Sequence, residues 1–395
     1  MRCCGCKAVY PSMLQGVFHA QRCGRRASFK RWPRSPFVID SRGPPPDVGM
    51  NGAYGVEPLV SGSHGERHSS AVVQQLGRPH AHAVALLIID RQSSFFPNLK
   101  KRSDAAEIYI RCAALLAKSA LAAQHDITVV TNDAALVGAW FSRLGVPGNA
   151  KVEQREFISQ LPLSAPHRAA HHKLDLLRDL AGGDPGRYSM IVDLDAVFLR
   201  GLRFDELPEA DEIGCYDISS MMVSESQGRS ADDIRELAAE HVAAPRWFGG
   251  EFIIARGAMF HELVNILDEV EGRYWALRET LYHVGDEALV SSALNLYLGR
   301  GGRVLDVGAR NVILRWWTAR RTFPQVCLRT ALDHAVLHLP ADKEFLALQA
   351  GLPFSSGEFL KSYRRYAKIK LIISRLKNMA MTYLPGCEAG FVASV

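Results

Sequence analysis

Tyr188-Ser189-Met190-Ile191-Val192-Asp193-Leu194-Asp195-Ala196-Val197-Phe198-Leu199 is an apolar run, too short for a helix, that rises to two carboxylates one residue apart and then turns apolar again. Such a run reads as a buried strand with acidic groups at its carboxyl end. Two buried carboxylates side by side repel each other, and the arrangement is most easily stabilised by a divalent cation held through oxygen ligands. A cation there implies a phosphate-bearing ligand. The plainer alternative is a strand that merely ends in acidic loop residues, because short Asp-x-Asp strings are frequent.

Upstream, Ala83-Val84-Ala85-Leu86-Leu87-Ile88-Ile89-Asp90 and Ile127-Thr128-Val129-Val130-Thr131-Asn132-Asp133 read as buried strands, and residues 150–157 as a further one. The Ala/Leu-rich stretch 105–123 reads as a helix between them. Repeated strand, helix and strand predict a parallel sheet with covered faces. Ligands of such sheets lie beyond the carboxyl strand ends, where Asp90, Asp133, Asp193 and Asp195 fall. Residues 171–180 form an amphipathic pattern closed by Gly182-Gly183, a usual helix stop. Lys173, in its first turn, is the only lysine between Lys151 and Lys343, and reads either as a solvated surface group or as a ligand-binding cation.

Further along, residues 212–218 read as a strand and 231–242 as a polar helix of a flap. Gly249 and Gly250 precede the β-rich run Glu251–Arg256, where paired glycines let the backbone approach a ligand closely or form a bulge. A helix is expected over 258–270. Asp286 and Glu287 open another that runs through Asn295, and there carboxylates stabilise the helix dipole, which alone would account for them. Late strands are expected at 303–307 and at 336–340, the second carrying His338.

With 395 residues, 48% hydrophobic and 22% charged, the chain suits a globular enzyme with a sizeable core. The formal charge of +6 conceals an uneven distribution, because residues 1–80 hold 11 Lys+Arg against 4 Asp+Glu, and residues 361–395 hold 7 against 1. The body, 81–360, carries 29 against 36 and is acidic, which makes it a poor binder of nucleic acid. Of eight cysteines, four fall in the first 23 residues and the rest are scattered, which implies no disulfide framework and a reducing compartment. The Cys3-Cys4-Gly5-Cys6 start has the spacing of no common zinc site. No segment reaches the roughly 18 apolar residues of a membrane span. The expectation is a cytoplasmic protein, peripheral at the inner face of the membrane.

Three parts follow. Residues 1–80, with Gly43-Pro44-Pro45-Pro46 and no sustained periodicity, read as a disordered basic extension, either a targeting peptide or the product of a start assigned upstream of Met50. Residues 81–357 form the catalytic domain. In 358–395, Phe359, Tyr363, Tyr366, Ile369, Ile373 and Leu376 recur every three or four residues among Lys361, Arg364, Arg365, Lys368, Arg375 and Lys377, with no acid from Leu360 to Gly386. This basic amphipathic tail either packs its stripe on the domain or binds an anionic membrane.

A strand ending Asp-x-Asp, a later Gly-Gly segment, an acidic pair opening a helix and a terminal strand with His occur in that order in nucleotide-sugar glycosyltransferases of the type-A fold, which residues 84–345 resemble. Phe248-Gly249-Gly250 and Asp286-Glu287 with Leu294-Asn295-Leu296-Tyr297 look like the blood-group and alpha-galactosyltransferase pattern. The His338 segment is similar to the glycogenin and lipopolysaccharide galactosyltransferases. The chain departs in having Gly285 where the first pattern has His, and Ala341-Asp342-Lys343 where the second has Gly and Lys-Pro. The resemblance implies an α/β fold with a single Rossmann-like mixed sheet flanked by helices. It also implies transfer, with retention, of a hexosyl group from a nucleotide sugar to a saccharide or lipid-linked acceptor. Mn²⁺ or Mg²⁺ would be held by Asp193, Asp195 and His338. The donor would be held by Asp90, Lys173, Asp193, Gly249 and Gly250, and Asp286 and Glu287 would lie at the sugar's reactive face.

A rival is the haloacid-dehalogenase-like phosphatases, whose opening Asp-x-Asp also fits Ile191-Val192-Asp193-Leu194-Asp195, with Gly285-Asp286 as the later acidic motif. Asp193 would then be a covalent nucleophile. Against it, that fold would begin at Tyr188 and leave the earlier strands unexplained. A non-catalytic nucleotide- or sugar-binding module is the third reading.

Overall fold

In this computed structural model, residues 80–89, 99, 105–157, 161, 168–222, 224–239, 242–318 and 325–383 are described. Asp90, residues 1–79 of the expected extension and residues 384–395 of the tail lie outside the described residues.

The larger sheet has seven strands in the order β3-β2-β1-β4-β7-β6-β8. They are β1 (His82–Leu87), β2 (Asp126–Thr131), β3 (Lys151–Gln154), β4 (Tyr188–Val192), β6 (Glu212–Asp217), β7 (Phe248–Arg256) and β8 (Arg303–Asp306). β1, β2, β3 and β4 are mutually parallel, and β6 is parallel to β8. β7 alone runs against its neighbours β4 and β6, so the sheet is mixed rather than wholly parallel. Between β6 and β7 the chain forms α5 (Ser224–Ala238), which packs on α6 (Gly257–Leu277) and α7 (Asp286–Gly299).

The central strands are apolar on both faces because helices cover both. Met190, Ile191, Val192, Ile253, Ile254 and Ala255 are all buried. α1 (Ala105–Ala122) presents Ala113, Ala114, Leu116, Ala117 and Ala120, each with no exposure, and packs against β1 and β2, so its small side chains let the helix lie close to the sheet. α2 (Ala134–Arg143) starts at Asp133, whose carboxylate accepts the Leu136 amide at 3.0 Å; that acid is a helix cap. α3 (Arg168–His171) and α4 (Lys173–Ala181) lead into β4.

A second sheet of three strands, β5 (Ala196–Phe198), β10 (Val336–His338) and β9 (Ile313–Arg315), stands beside the end of β4. α8 (Leu328–Ala331) and α9 (Lys343–Gln349) flank β10 in sequence, and α10 (Ser356–Tyr383) closes the described chain. The first half of α10 is core: Phe359, Tyr363 and Ala367 are buried, and Tyr366 stacks on Phe345 at 4.5 Å between ring centres. Farther along, Ile369, Ile372, Ile373 and Leu376 are exposed. Among the described residues no helix is long and apolar enough to cross a membrane.

Candidate active site

The two sheets meet at the acidic turn. After β4 the Asp193 amide donates to the Glu251 carbonyl of antiparallel β7 at 3.0 Å, and the Ala196 amide donates back to the Asp193 carbonyl at 3.1 Å. The chain thus turns directly into β5, which pairs with β10 so that His338 lies opposite Ala196. β9 lies parallel on the other side of β10, with Arg315 beside His338. β7 brings Gly249, Gly250 and Glu251 to the same edge, and α7 begins there with Asp286 and Glu287.

Each aspartate of the pair holds a lysine on one oxygen. Asp193 Oδ1 is 2.7 Å from Lys173 Nζ, which also lies 2.7 Å from Asp286 Oδ2 and donates to the Gly250 carbonyl at 3.0 Å. Asp195 Oδ2 is 2.6 Å from Lys343 Nζ, and Lys343 donates to the Pro340 carbonyl at 3.0 Å. The other two oxygens face one imidazole nitrogen, with His338 Nε2 at 3.0 Å from Asp195 Oδ1 and 3.9 Å from Asp193 Oδ2.

Burial disfavours every charge here, and pairing decides which survive. Burial would lower Lys173, but Asp193 and Asp286 raise it above the ordinary lysine range, and Asp195 does the same for Lys343. Burial would raise Asp195, but Lys343 and His338 carry it well below the usual carboxylate value. For Asp193, burial prevails over Lys173 and raises it. His338, which burial would lower, is raised to about 9, chiefly by Asp195.

A second layer lies behind His338. Arg315 grips Glu251 with Nε–Oε1 at 2.8 Å and Nη2–Oε2 at 2.7 Å, and the same Nη2 also donates to Glu287 Oε1. Glu287 Oε2 accepts from Trp247 Nε1 at 3.2 Å. The Glu251 side chain has no exposure.

Asp193, Asp195, His338, Lys173, Asp286 and the backbone of Gly250 are therefore in one contact network, which Glu287 joins through Arg315 and Glu251. Gly249 and Gly250 make room for the protein's own acids: a Cβ on Gly249 would fall 1.9 Å from Glu251 Oε2, and one on Gly250 2.7 Å from Asp286 Oδ2. Lys173 is buried and doubly paired, which excludes the solvated-surface alternative. Lys343, Glu251 and Arg315 were not among the expected site residues. The available signals were charges within apolar strand-like surroundings and, for Lys343, its place five residues after His338.

Asp193, Asp195 and His338 offer two carboxylate oxygens and one ring nitrogen within 4.8 Å of one another. The set fits a divalent cation in chemistry as well, since the lysines already occupy the outer oxygens and the inner ones converge. Comparison of the chain with protein-family models and with curated proteins returns no match.

Proposed function

We propose that this chain is a metal-dependent glycosyltransferase that moves a hexosyl group from a nucleotide sugar to a saccharide or lipid-linked acceptor, on a type-A fold. The observation that carries the reading is the convergence of Asp193, Asp195 and His338 between two buried lysines at the end of β4. Mn²⁺ or Mg²⁺ held by that triad would act as a Lewis acid toward a departing diphosphate. Lys173 and Lys343 add positive charge on either side, in a body whose net charge otherwise repels phosphates. Asp286 is held in place by Lys173, and Glu287 by Arg315 and Trp247. Fixed carboxylates at the amino end of α7 suit stabilisation of an oxocarbenium-like transition state at the sugar.

One observation favours the phosphatase as a second reading: Lys173 bridges Asp193 and Asp286, the contact a phosphoryl-handling lysine would make. Against it, β1, β2 and β3 precede the acidic strand and share its sheet. Purified protein with Mn²⁺ is offered a panel of nucleotide sugars and, separately, p-nitrophenyl phosphate. Release of nucleoside diphosphate supports glycosyl transfer, and aryl phosphate turnover without it overturns the proposal.

On this reading α10 would serve the acceptor side. Ile369, Ile372, Ile373 and Leu376 lie at i, i+3, i+4 and i+7 and are exposed, next to exposed Lys361, Arg364, Arg365 and Lys368. An apolar stripe bordered by charge of one sign matches an anionic lipid surface, to which each basic residue adds about 1 kcal/mol. The enzyme would then work beside a lipid-linked acceptor.

A further inference from the structure

Glu251 is the most completely enclosed acid of the site, with no side-chain exposure. Like Glu287 it pairs with Arg315 and with no lysine, but it also lies against the His338 ring. Its carboxylate is fixed at both oxygens by Arg315, and Oε1 lies 3.4 Å from His338 Nδ1, on the side of the ring away from Asp193 and Asp195. That Nδ1 is buried and makes no hydrogen bond in this geometry. A buried polar nitrogen costs free energy until it is partnered, and Glu251 is the carboxylate beside it. Glu251 also accepts the Asp193 amide through its own carbonyl, so one residue touches two members of the metal triad. Gly249 leaves the space in which its side chain lies.

Resting on the metal-dependent reading above, we infer that Glu251, clamped by Arg315, is the positioning residue of the metal centre. It accepts the Nδ1 proton of His338 in a hydrogen bond, and so fixes the tautomer that leaves Nε2 free for the ion. A histidine that ligates a metal commonly donates its other ring N–H to a carboxylate, and losing that partner weakens metal affinity roughly 10–100-fold. Glu251 would move no proton and touch no substrate. Through Arg315, the same clamp sets the position of Glu287, which ties the metal side of the site to the sugar side.

Two measurements test this. Mn²⁺ alone is titrated into wild type and Glu251→Gln, with free Mn²⁺ followed by electron paramagnetic resonance; the variant should bind roughly 10–100-fold more weakly. In the second, ¹⁵N-histidine-labelled wild type is saturated with Mg²⁺, and the His338 signal is assigned by its loss in His338→Gln. Nδ1 should carry the proton and Nε2 should not. This needs no Glu251 variant, so the tautomer is tested even if Glu251→Gln fails to fold, in which case Glu251→Asp, which keeps the carboxylate but withdraws it from Nδ1, takes its place in the Mn²⁺ titration. Equal Mn²⁺ affinity in a folded Glu251→Gln overturns the assignment while leaving the metal site standing, and a protonated Nε2 in the Mg²⁺ form overturns the assignment together with His338 as a ligand. A wild type that binds neither ion overturns the metal-dependent reading and this inference with it.

Discussion

Replacing Asp195 by Asn removes the charge that holds Lys343 and His338, whose side chains are 7% and 5% exposed. Breaking a buried ion pair from one side costs about 3–5 kcal/mol, because the surviving charge has neither water nor partner. The Asn carbonyl oxygen still accepts one hydrogen bond, so the lower end, about 3 kcal/mol, is expected. At roughly 2–4 °C per kcal/mol for a domain of this order of size, the metal-free variant should melt about 6–12 °C below wild type. The double variant Asp195→Asn, Lys343→Met leaves no orphan ammonium and should regain more than half of that loss, which a double-mutant cycle reads directly. Calorimetric melts of the four proteins without metal give the stability, and Mn²⁺ titrations of the same four give ligation, which both Asn-containing proteins should lack. A Tm unchanged in the single variant, or a double variant lower than either single one, refutes the buried-pair reasoning. Unaltered Mn²⁺ binding in Asp195→Asn refutes its place in the metal triad.

The Asp286→Asn, Glu287→Gln double variant should keep donor affinity by calorimetry while kcat falls at least tenfold; normal turnover would exclude both from the chemical step. His125 is buried, and burial lowers its pKa to about 4, so the unfolded chain takes up its proton first as pH falls. The stability it confers is whole above the ordinary value near 6.5 and declines by up to roughly 3 kcal/mol toward pH 4. Urea melts from pH 7 to 4 should show a flatter decline in His125→Gln, and parallel curves would count against it. Replacing Ile369, Ile372, Ile373 and Leu376 by Ser should leave the fold intact and abolish sedimentation with phosphatidylglycerol-containing vesicles at low salt. If the variant still pellets, the stripe is not the membrane contact.

Much of the framework was legible because its signals are local. The apolar runs of β1, β2 and β4, the Ala-rich α1 and the acidic opening of α7 each announce themselves within a dozen residues. The antiparallel course of β7 did not, since alternation and apolarity report that a strand is buried and not which way it runs. Asp193, Asp195 and His338 could be grouped through the order of motifs in the glycosyltransferases that the sequence resembles. Glu251 and Arg315 could not, because their pairing spans 64 positions and exists only once β9 lies beside β10 and β7 beside β4. The tail divided within one helix. Periodicity marks a face, but whether that face meets protein or solvent depends on where the domain ends beneath it, which is near Tyr366.

Asp342 has a mechanical consequence. Its carboxylate accepts from Thr318, Tyr363, Tyr366 and Lys370, so three donors of α10 rivet that helix to the residue immediately before Lys343, and Thr318 holds the same carboxylate from another segment. A helix of 28 residues is about 42 Å long at 1.5 Å per residue, and its rivet runs from Tyr363 to Lys370, ending at its middle. Beyond it Ile372, Ile373 and Leu376 are exposed, so that stretch is a lever whose fulcrum adjoins a site lysine. A load on the far end, whether a lipid surface, a fused domain or an immobilising tag, is delivered as torque to the Leu339–Lys343 segment, and attachment at the C-terminus is the wrong choice for any study that needs the site undisturbed.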